Sequence, residues 1–547
     1  MRRPTLRSAG LAVTAAGSII GSLVVAGAAP ALAHGDAGGR HDQTLAPRTQ
    51  FVMAADGSSG ARPDGGGIPN IDSVKKTIYS YYGDPGTGHA DRTSSPYISE
   101  MRSITTGLRT SLARTYAAAE RQGKKPAIVL DADDTTLWTY DMEVEDMKFV
   151  FDPVRQDYWV QNKLFPATPS MVALVNEADA MGFTIFGLTG RGASQKDATI
   201  GNLKDVGYNA FTPDHYFTKW AGSTPPAYIT CATAKCTTVE YKAGTRKHIE
   251  QDLGYDITLN IGDQWSDLQG GYADQALKLP NPTYYLPSPN LPGVDEPTLA
   301  PRTEFTMEAG GSSGLTEGGE GIPNIDSVKS TIRSYYHASG AGIADPNSSP
   351  YISELAGIEA DNTDRLVNQC RREVRKGGNP AIVFDADDTT LWTYDMEDGA
   401  MHFNFDPVLQ DTQWVQPMRF AAVPGMVDLV NAVGDAGCTV VGLTGRREPQ
   451  RVATLGNLAN VGYDYFTEDH YFTKWASGAT PDPTIYAGTP CEDNGGCSTI
   501  QYKSAVRRYV ESQGYDIIAN FGDQFSDLIG GYADRAVKLP NPTYYLP

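Results

Sequence analysis

The sequence predicts an α/β protein made of two tandem copies of one unit, each a mainly parallel sheet flanked by helices. Three observations carry this. Short apolar runs alternate with helical segments, the pattern of parallel strands joined by crossover helices. Nearly the whole chain is duplicated: TLAPRT at 44–49 returns at 298–303, and NPTYYLP at 281–287 returns at 541–547. One apolar run in each copy also ends abruptly in carboxylates, AIVLDADDTT at 127–136 and AIVFDADDTT at 381–390. A long unit repeated once means two complete domains and not a solenoid. The domains are 44–287 and 298–547, joined by a Pro-bearing polar linker at 288–297.

At 547 residues the chain has room for two or more domains. Its formal charge of −20 argues against a nucleic-acid backbone as the main partner. A phosphorylated small molecule stays open, because a bound cation reverses the local field. Residues 1–33 read as an export signal: Arg2, Arg3 and Arg7, then an uncharged stretch, then a small-x-small site at Ala31, Leu32 and Ala33. The uncharged stretch is also long enough to cross a bilayer, but its Gly, Ala and Ser content and the Ala-Leu-Ala ending favour cleavage. The expectation is a secreted protein with no stable membrane partner, by either the general or the twin-arginine route. Six cysteines fit that compartment. Cys231 with Cys236, and Cys491 with Cys497, suit short-loop disulfides, since no second Cys/His pair stands at zinc-finger spacing. Cys370 and Cys438 align with Tyr116 and Phe183, and are either buried thiols or a third bridge.

Taken in order, each copy opens with a Gly/Ser-rich loop, 57–67 in the first. A helix follows with Ile71, Val74, Ile78 and Tyr81 on one side, closed by Gly83. A longer helix carries Ile98, Met101, Leu108, Leu112 and Tyr116 and stops at Gly123. The acid-tipped strand comes next, apolar enough to be buried on both faces. Residues 139–166 are aromatic and acidic, with Tyr140, Phe149, Phe151, Tyr158, Trp159 and Phe165. This segment is too short for a full cap domain and is either a flap over the pocket or packing for the core. A helix over 169–180 leads to a strand at 183–188 that ends in Thr189, Gly190 and Arg191. Beyond the cysteine loop, Thr237 with Glu240 forms a capping box, as Ser498 with Gln501 does in the second copy. Lys242 therefore sits near a helix N-terminus. A last apolar strand, 257–261, runs into Gly262, Asp263 and, after three residues, Asp267.

Strand ends thus carry an acid pair, a Thr-Gly-Arg and a second acid pair, with a helix lysine between them. Residues two apart on a strand share a face, so Asp131 and Asp133 point into one site, and open parallel sheets bind ligands at the carboxyl ends of their strands. A calcium loop is a poor alternative, since its Gly and Glu positions hold Thr136 and Met142. Oxygen ligands from Asp131, Asp133 and Asp263 suit a hard cation such as Mg²⁺. A hydroxyl, a backbone N–H and a lysine suit phosphate oxygens, and a carboxylate can itself attack phosphorus. The parts converge on metal-assisted phosphoryl transfer. A serine hydrolase is unsupported, because no Gly-x-Ser-x-Gly occurs. Arg191 either touches substrate or pairs with a nearby acid. His215 reads as structural, and Trp138 and Trp265 as core aromatics.

Asp131-x-Asp133-x-Thr135, Thr189, Lys242 and Gly262-Asp263-x-x-x-Asp267 resemble the four motifs of the haloacid dehalogenase (HAD) superfamily. Tyr241-Lys242, the stretch 262–268 and Lys278-Leu279-Pro280-Asn281-Pro282 are similar to its exported acid phosphatase branch, subfamily IIIB, with class B-like bacterial enzymes and plant acid phosphatase/vegetative storage proteins. The resemblance spans most of both copies. It implies two HAD-like Rossmannoid domains with at most a small flap as cap, and a secreted, Mg²⁺-dependent phosphomonoesterase acting through an aspartyl-phosphate on a phosphorylated small molecule. Asp131 would be the nucleophile. Asp133 would be the acid and base, and its backbone carbonyl a Mg²⁺ ligand. Thr189 and the Gly190 N–H would hold phosphoryl oxygens, and Lys242 would neutralise charge. Asp263 would bind metal, with Asp267 binding it through water or steadying Lys242. The second copy matches at Asp385, Asp387, Thr444, Lys503, Asp523 and Asp527. Phosphotransfer to an alcohol through the same intermediate, or a non-catalytic storage or phosphate-binding role, are the alternatives.

Overall fold

The acid-tipped run of each copy is the middle strand of a five-stranded parallel sheet. The structure is a computed structural model describing residues 60, 67–286, 314, 321–493 and 497–546. The expected export signal at 1–33 and linker at 288–297 lie outside the described residues.

The first copy runs α1 (Ile71–Tyr82), α2 (Pro96–Arg121), β1 (Pro126–Leu130), α3 (Pro153–Gln161), α4 (Met171–Met181), β2 (Thr184–Gly192), α5 (Lys196–Asp205), β3 (Tyr216–Lys219), α6 (Thr238–Gln251), β4 (Asp256–Gly262), α7 (Trp265–Leu268) and β5 (Ala276–Lys278). Local chemistry sets the boundaries. Asn70 caps α1 by accepting from the N–H groups of Asp72 and Ser73, and Gly83 ends it at φ 67°. Thr237 and Glu240 form the reciprocal capping box on α6. Every residue of β1 is buried, as a strand covered on both faces requires.

The strand order is β3-β2-β1-β4-β5, all parallel. The chain winds outward from β1 through β2 and β3, then returns to the other side of β1 as β4. That reversal opens a crevice at the carboxyl ends of β1 and β4, where α/β sheets take ligands. In the second copy Tyr471–Lys474, Thr439–Arg447, Pro380–Phe384, Asp516–Gly522 and Ala536–Lys538 repeat the order. The fold class is therefore the one expected. The 139–166 segment divides between its two readings: Tyr140, Phe149 and Phe165 are buried, whereas Phe151 and Tyr158 are exposed. Trp138 and Trp265 are buried, and His215 packs on the rings of Phe186 and Tyr255.

The two copies exchange contacts reciprocally. The Asn70 side chain donates to the carbonyls of Asn541 (3.2 Å) and Tyr544 (2.7 Å), and Ile71 N–H donates to Pro542 O (3.0 Å). At the start of α8 (Ile325–Tyr335), Asn324 donates to Asn281 O (3.1 Å) and Tyr284 O (2.7 Å), and Ile325 N–H to Pro282 O (2.9 Å). Each copy's first helix is thus capped onto the other copy's C-terminal segment. One hydrophobic core runs through both, with Ile71 and Ile78 of α1 joined to Ile325 and Ile332 of α8. Cys231–Cys236 and Cys491–Cys497 are bridged, and so is Cys370–Cys438, which settles the open alternative. At the matching place in the first copy, Tyr116 meets Phe183 edge-on at 5.3 Å. Among the described residues no helix is long and apolar enough to cross a membrane.

Candidate active site

Four groups from three distant stretches of the chain meet at the crevice. Lys242 Nζ, on the second turn of α6, lies 2.8 Å from Asp131 Oδ1 and 2.6 Å from Asp267 Oδ1. Asp131 follows the end of β1 and continues its ladder, its N–H donating to Ile261 O. Asp267 is on α7, and its other oxygen accepts from Gln264 N–H (2.9 Å) at that helix's start. The turn is tight enough that a Cβ on Gly262 would lie 2.4 Å from Asp267 Cβ, so position 262 must be glycine. Asp263, fully buried, accepts from Gln264 Nε2 (2.7 Å), Asn281 Nδ2 (2.8 Å), the Tyr284 hydroxyl (3.0 Å) and Thr135 Oγ1 (3.3 Å). The second copy repeats this: Lys503 Nζ is 2.6 Å from both Asp385 and Asp527, and Asp523 accepts from Gln524 and Asn541 at 2.7 Å.

The donor set suits a hard cation. Asp131, Asp263 and Asp267 each offer an oxygen within 4.8 Å of the others, as do Asp385, Asp523 and Asp527. In the second site Asp523 Oδ1 is buried without a hydrogen-bond partner among the described residues, which is costly for a carboxylate unless a cation faces it. Such a set of buried oxygens can bind a metal ion. The charge balance agrees. Burial pushes the Asp131 carboxyl well up, Lys242 pulls it back, and Asp267, Asp263 and Asp133 push it up again. Burial, then Asp267 and Asp134, raise Asp263 to about 7. Burial opposes the charge on Lys242, but Asp131 and Asp267 outweigh it and hold the lysine above its usual value.

Asp133 stands apart from the cluster. Arg191 grips it with two hydrogen bonds, Nη2 to Oδ1 (2.6 Å) and Nε to Oδ2 (3.1 Å), and ties its third nitrogen to Thr199 Oγ1 (3.0 Å). Of the two readings for Arg191, the structure shows pairing with an acid. The guanidinium lies over the Phe165 ring at 4.8 Å, which fixes its plane. Arg446 treats Asp387 identically, at 2.6 and 3.1 Å. Thr189 and Arg191 are buried and two apart on β2, which runs to Gly192 and so past the expected strand end. Gly190, between them, is exposed, with open space where a Cβ would sit. Replacing Arg191 by Met, with the second site silenced by Asp385→Asn, is expected to lower kcat by about 10²-fold. Initial-rate kinetics on a phosphomonoester read this.

Several supports escaped the sequence reading. Asn281 and Tyr284 hold Asp263, yet Lys278-Leu279-Pro280-Asn281-Pro282 served there only as a family signature. Arg246, wholly buried, donates to the carbonyls of Asp267 (2.5 Å), Gly271 (2.8 Å) and Gln269, fixing the loop that carries Asp263 and Asp267. Its position one helical turn after Lys242 was the available signal.

The fold and this cluster suit phosphoryl transfer. Residues 93–287 and 351–547 match the family described as HAD superfamily, subfamily IIIB (acid phosphatase), and the chain belongs to it. Membership places it among the hydrolases of phosphoric monoesters. Relatives include the stem 28 kDa glycoprotein of Glycine max, 31% identical over 200 residues, covering 35% of this chain and 72% of that protein. Acid phosphatase 1 of Solanum lycopersicum is 31% identical over 173 residues, covering 29% and 63%. Vegetative storage protein 2 of Arabidopsis thaliana is 29% identical over 170 residues, covering 30% and 56%. Among solved structures, the class C acid phosphatase from Bacillus anthracis with tungstate bound matches at 23% identity and TM-score 0.27, covering 36% of this chain and 71% of that one.

Proposed function

We propose that 44–287 and 298–547 are two catalytic domains of a secreted, Mg²⁺-dependent phosphomonoesterase that works through an aspartyl-phosphate. The observation that carries it is the lysine bridging Asp131 and Asp267 beside the three-carboxylate cluster, repeated around Lys503. A phosphoryl group arriving over Asp131 meets Thr189 Oγ1 and the Gly190 N–H. One Asp131 oxygen attacks phosphorus, and the bond from phosphorus to the ester oxygen breaks. Asp133, aimed by Arg191, gives that oxygen its proton. It then takes a proton from the water that attacks the phosphoenzyme, and phosphate leaves. Lys242 offsets the negative charge that builds on Asp131 and the phosphoryl oxygens. Mg²⁺, held by Asp131, Asp263 and Asp267 and by the Asp133 carbonyl, would supply further charge neutralisation.

Secretion is supported by the composition of residues 1–33 and by the three disulfides. Vegetative storage proteins among the relatives keep a storage role as the second reading. Asp131 and Asp385, both present, favour catalysis over it. Phosphomonoester hydrolysis by the full chain is measured with and without chelator and added Mg²⁺. Chelation is expected to lower turnover by at least about 10²-fold, with Mg²⁺ restoring it. Undiminished turnover after exhaustive chelation would refute the metal assignment. A phosphorylated product formed from an added alcohol would move the reading to phosphotransfer.

A further inference from the structure

The cavity over the first site holds about 750 Å³, the size of a small-molecule pocket, and one wall of it comes from the other half of the chain. Asp326, Lys329, Ser330 and Arg333 of α8 line it. Their i, i+3, i+4, i+7 spacing is one helix face. The face begins beside the reaction centre. Asp326 Oδ2 accepts from Tyr285 N–H (3.2 Å), and the neighbouring Tyr284 hydroxyl donates to Asp263 (3.0 Å). Arg333 stands two turns further on, roughly 10 Å along the axis at 1.5 Å per residue. Among the described residues, the cavity over the second site takes only Asp72 from the opposite half.

The copies differ at the far end of this wall. Where the second half has Arg333, the first has Tyr79, which stacks on Phe149 at 6.1 Å. Arg333 is fixed from behind by Asp398, with Nε to Oδ2 at 2.8 Å and Nη2 to Oδ1 at 2.7 Å. Asp398 is fully buried and also accepts from the Tyr394 hydroxyl (2.8 Å). The third nitrogen, Nη1, has no partner among the described residues, and the side chain is still 39% exposed. In the first copy Val144 stands in the place of Asp398, and Tyr140 uses Asp84 instead (2.9 Å), which aligns with Ala338. Lys329 does not distinguish the copies. It pairs with Asp326 (3.0 Å) and Phe149 O, and Lys75 pairs likewise with Asp72 (3.2 Å) and Phe403 O. Lys76, in the place of Ser330, stands over the Tyr545 ring at 4.7 Å.

We propose that Arg333 is a specificity-determining residue for the first site, supplied across the interface by the second half, and that it selects phosphomonoesters whose alcohol portion carries a second anionic group. A carboxylate or another phosphate is the matching chemistry, because a planar guanidinium edge presents donors to paired oxygens. Asp398 takes Nε and one Nη2 hydrogen, which leaves Nη1 and the second Nη2 hydrogen of this cavity-lining residue for a ligand. Asp326, the acid on the same wall, is answered by Lys329 and the Tyr285 N–H. Burial, then Asp134 and Asp326, hold the Glu143 carboxyl, also in the lining, well above its usual value.

The proposal rests on the phosphomonoesterase reading and is tested on the full-length protein with the second site silenced by Asp385→Asn. A series of ω-carboxyalkyl phosphates is compared with ω-hydroxyalkyl phosphates of equal length. At the length that reaches Arg333, kcat/KM is expected to favour the carboxylate about tenfold, the weight of one charge-assisted contact. The ratio falls to near one in Arg333→Gln. It falls equally in the triple variant Arg333→Tyr, Ala338→Asp, Asp398→Val, which transplants the first half's residues and leaves no unpaired buried carboxylate. Calorimetric binding of the matching alkylphosphonates reports the same ratio without turnover, so failure of the catalytic reading is seen separately. Equal treatment of the two series at every length overturns the proposal. So does a preference that both variants keep, or a shift in ratio at the second site, measured in an Asp131→Asn protein, in place of the first.

Discussion

The double variant Asp131→Asn, Asp385→Asn is expected to lose phosphomonoester turnover by ~10⁴-fold or more, and each single variant to keep the activity of the untouched site. Asparagine preserves the shape of the side chain, so Lys242 keeps its hydrogen bond to Asp267 (2.6 Å) and the loop after β4 keeps its anchors. What disappears is the anionic oxygen that attacks phosphorus in the proposed mechanism. Magnitudes place the loss. Monoester hydrolysis is slow enough uncatalysed that enzymes accelerate it by up to ~10²¹-fold, and general acid catalysis supplies only ~10²–10⁴ of that. Losing Asp133 is therefore expected to cost less than losing the covalent route proposed for Asp131. Losing Asp267 costs less again, because Asp131 still holds Lys242 and two carboxylates remain for the cation. Mass spectrometry of acid-quenched enzyme checks the route independently: a phosphoryl adduct on Asp131 or Asp385 is expected in the parent and absent from the double variant. Undiminished turnover in that variant sinks the nucleophile assignment.

The site was legible where chemistry sits on the ends of strands. An apolar run that stops in Asp131 announces both a buried strand and the point where it meets solvent, and Asp263 repeats the signal after β4. The parallel alternation of strands and helices then requires that these ends share one rim of the sheet. Lys242 was legible through the Thr237–Glu240 capping box, which places it just inside a helix. Contacts made by side chains reaching sideways were not legible. Arg191 could be read two ways because its partner, Asp133, lies in the turn after the neighbouring strand β1, and only the placing of β1 beside β2 decides the matter. Asn281 and Tyr284 lie beyond β5, a three-residue strand too short to show a periodic pattern.

The exchange between α1 and α8 was hidden for a different reason. Duplication makes each half look self-sufficient, and nothing in a repeat says whether an element packs on its own copy or on the other. Asn70 and Asn324 look like ordinary helix caps, which they are, and their amide nitrogens also clasp the opposite copy. A substitution in one half can therefore reach the cavity of the other, since Arg333 of the second half lines the cavity over the first site.

The Cys370–Cys438 bridge carries the second large effect. It closes a loop of 68 residues, against separations of 5 and 6 for the other two bridges. In the chain-entropy account a loop of that length contributes about 4 kcal/mol, roughly twice what the short loops give. Replacing both cysteines by Ala is expected to remove ~4 kcal/mol from the unfolding free energy of the protein, read by denaturant titration without reductant. The first copy suggests a partial rescue. Tyr116 and Phe183 meet edge-on at the same place, and such a pair adds ~0.5–1.5 kcal/mol beyond its buried area. Cys370→Tyr with Cys438→Phe should therefore recover part of the loss. The bridge ties the helix Pro350–Arg375 to the residue before the strand Thr439–Arg447, which delivers Thr444 and Arg446 to the second site. Reductant should accordingly lower the heat tolerance of second-site turnover, measured with Asp131→Asn, more than that of the first, measured with Asp385→Asn. An Ala pair within 1 kcal/mol of the parent (about the contribution of one hydrogen bond) would show that packing, and not the cross-link, holds that helix to the sheet.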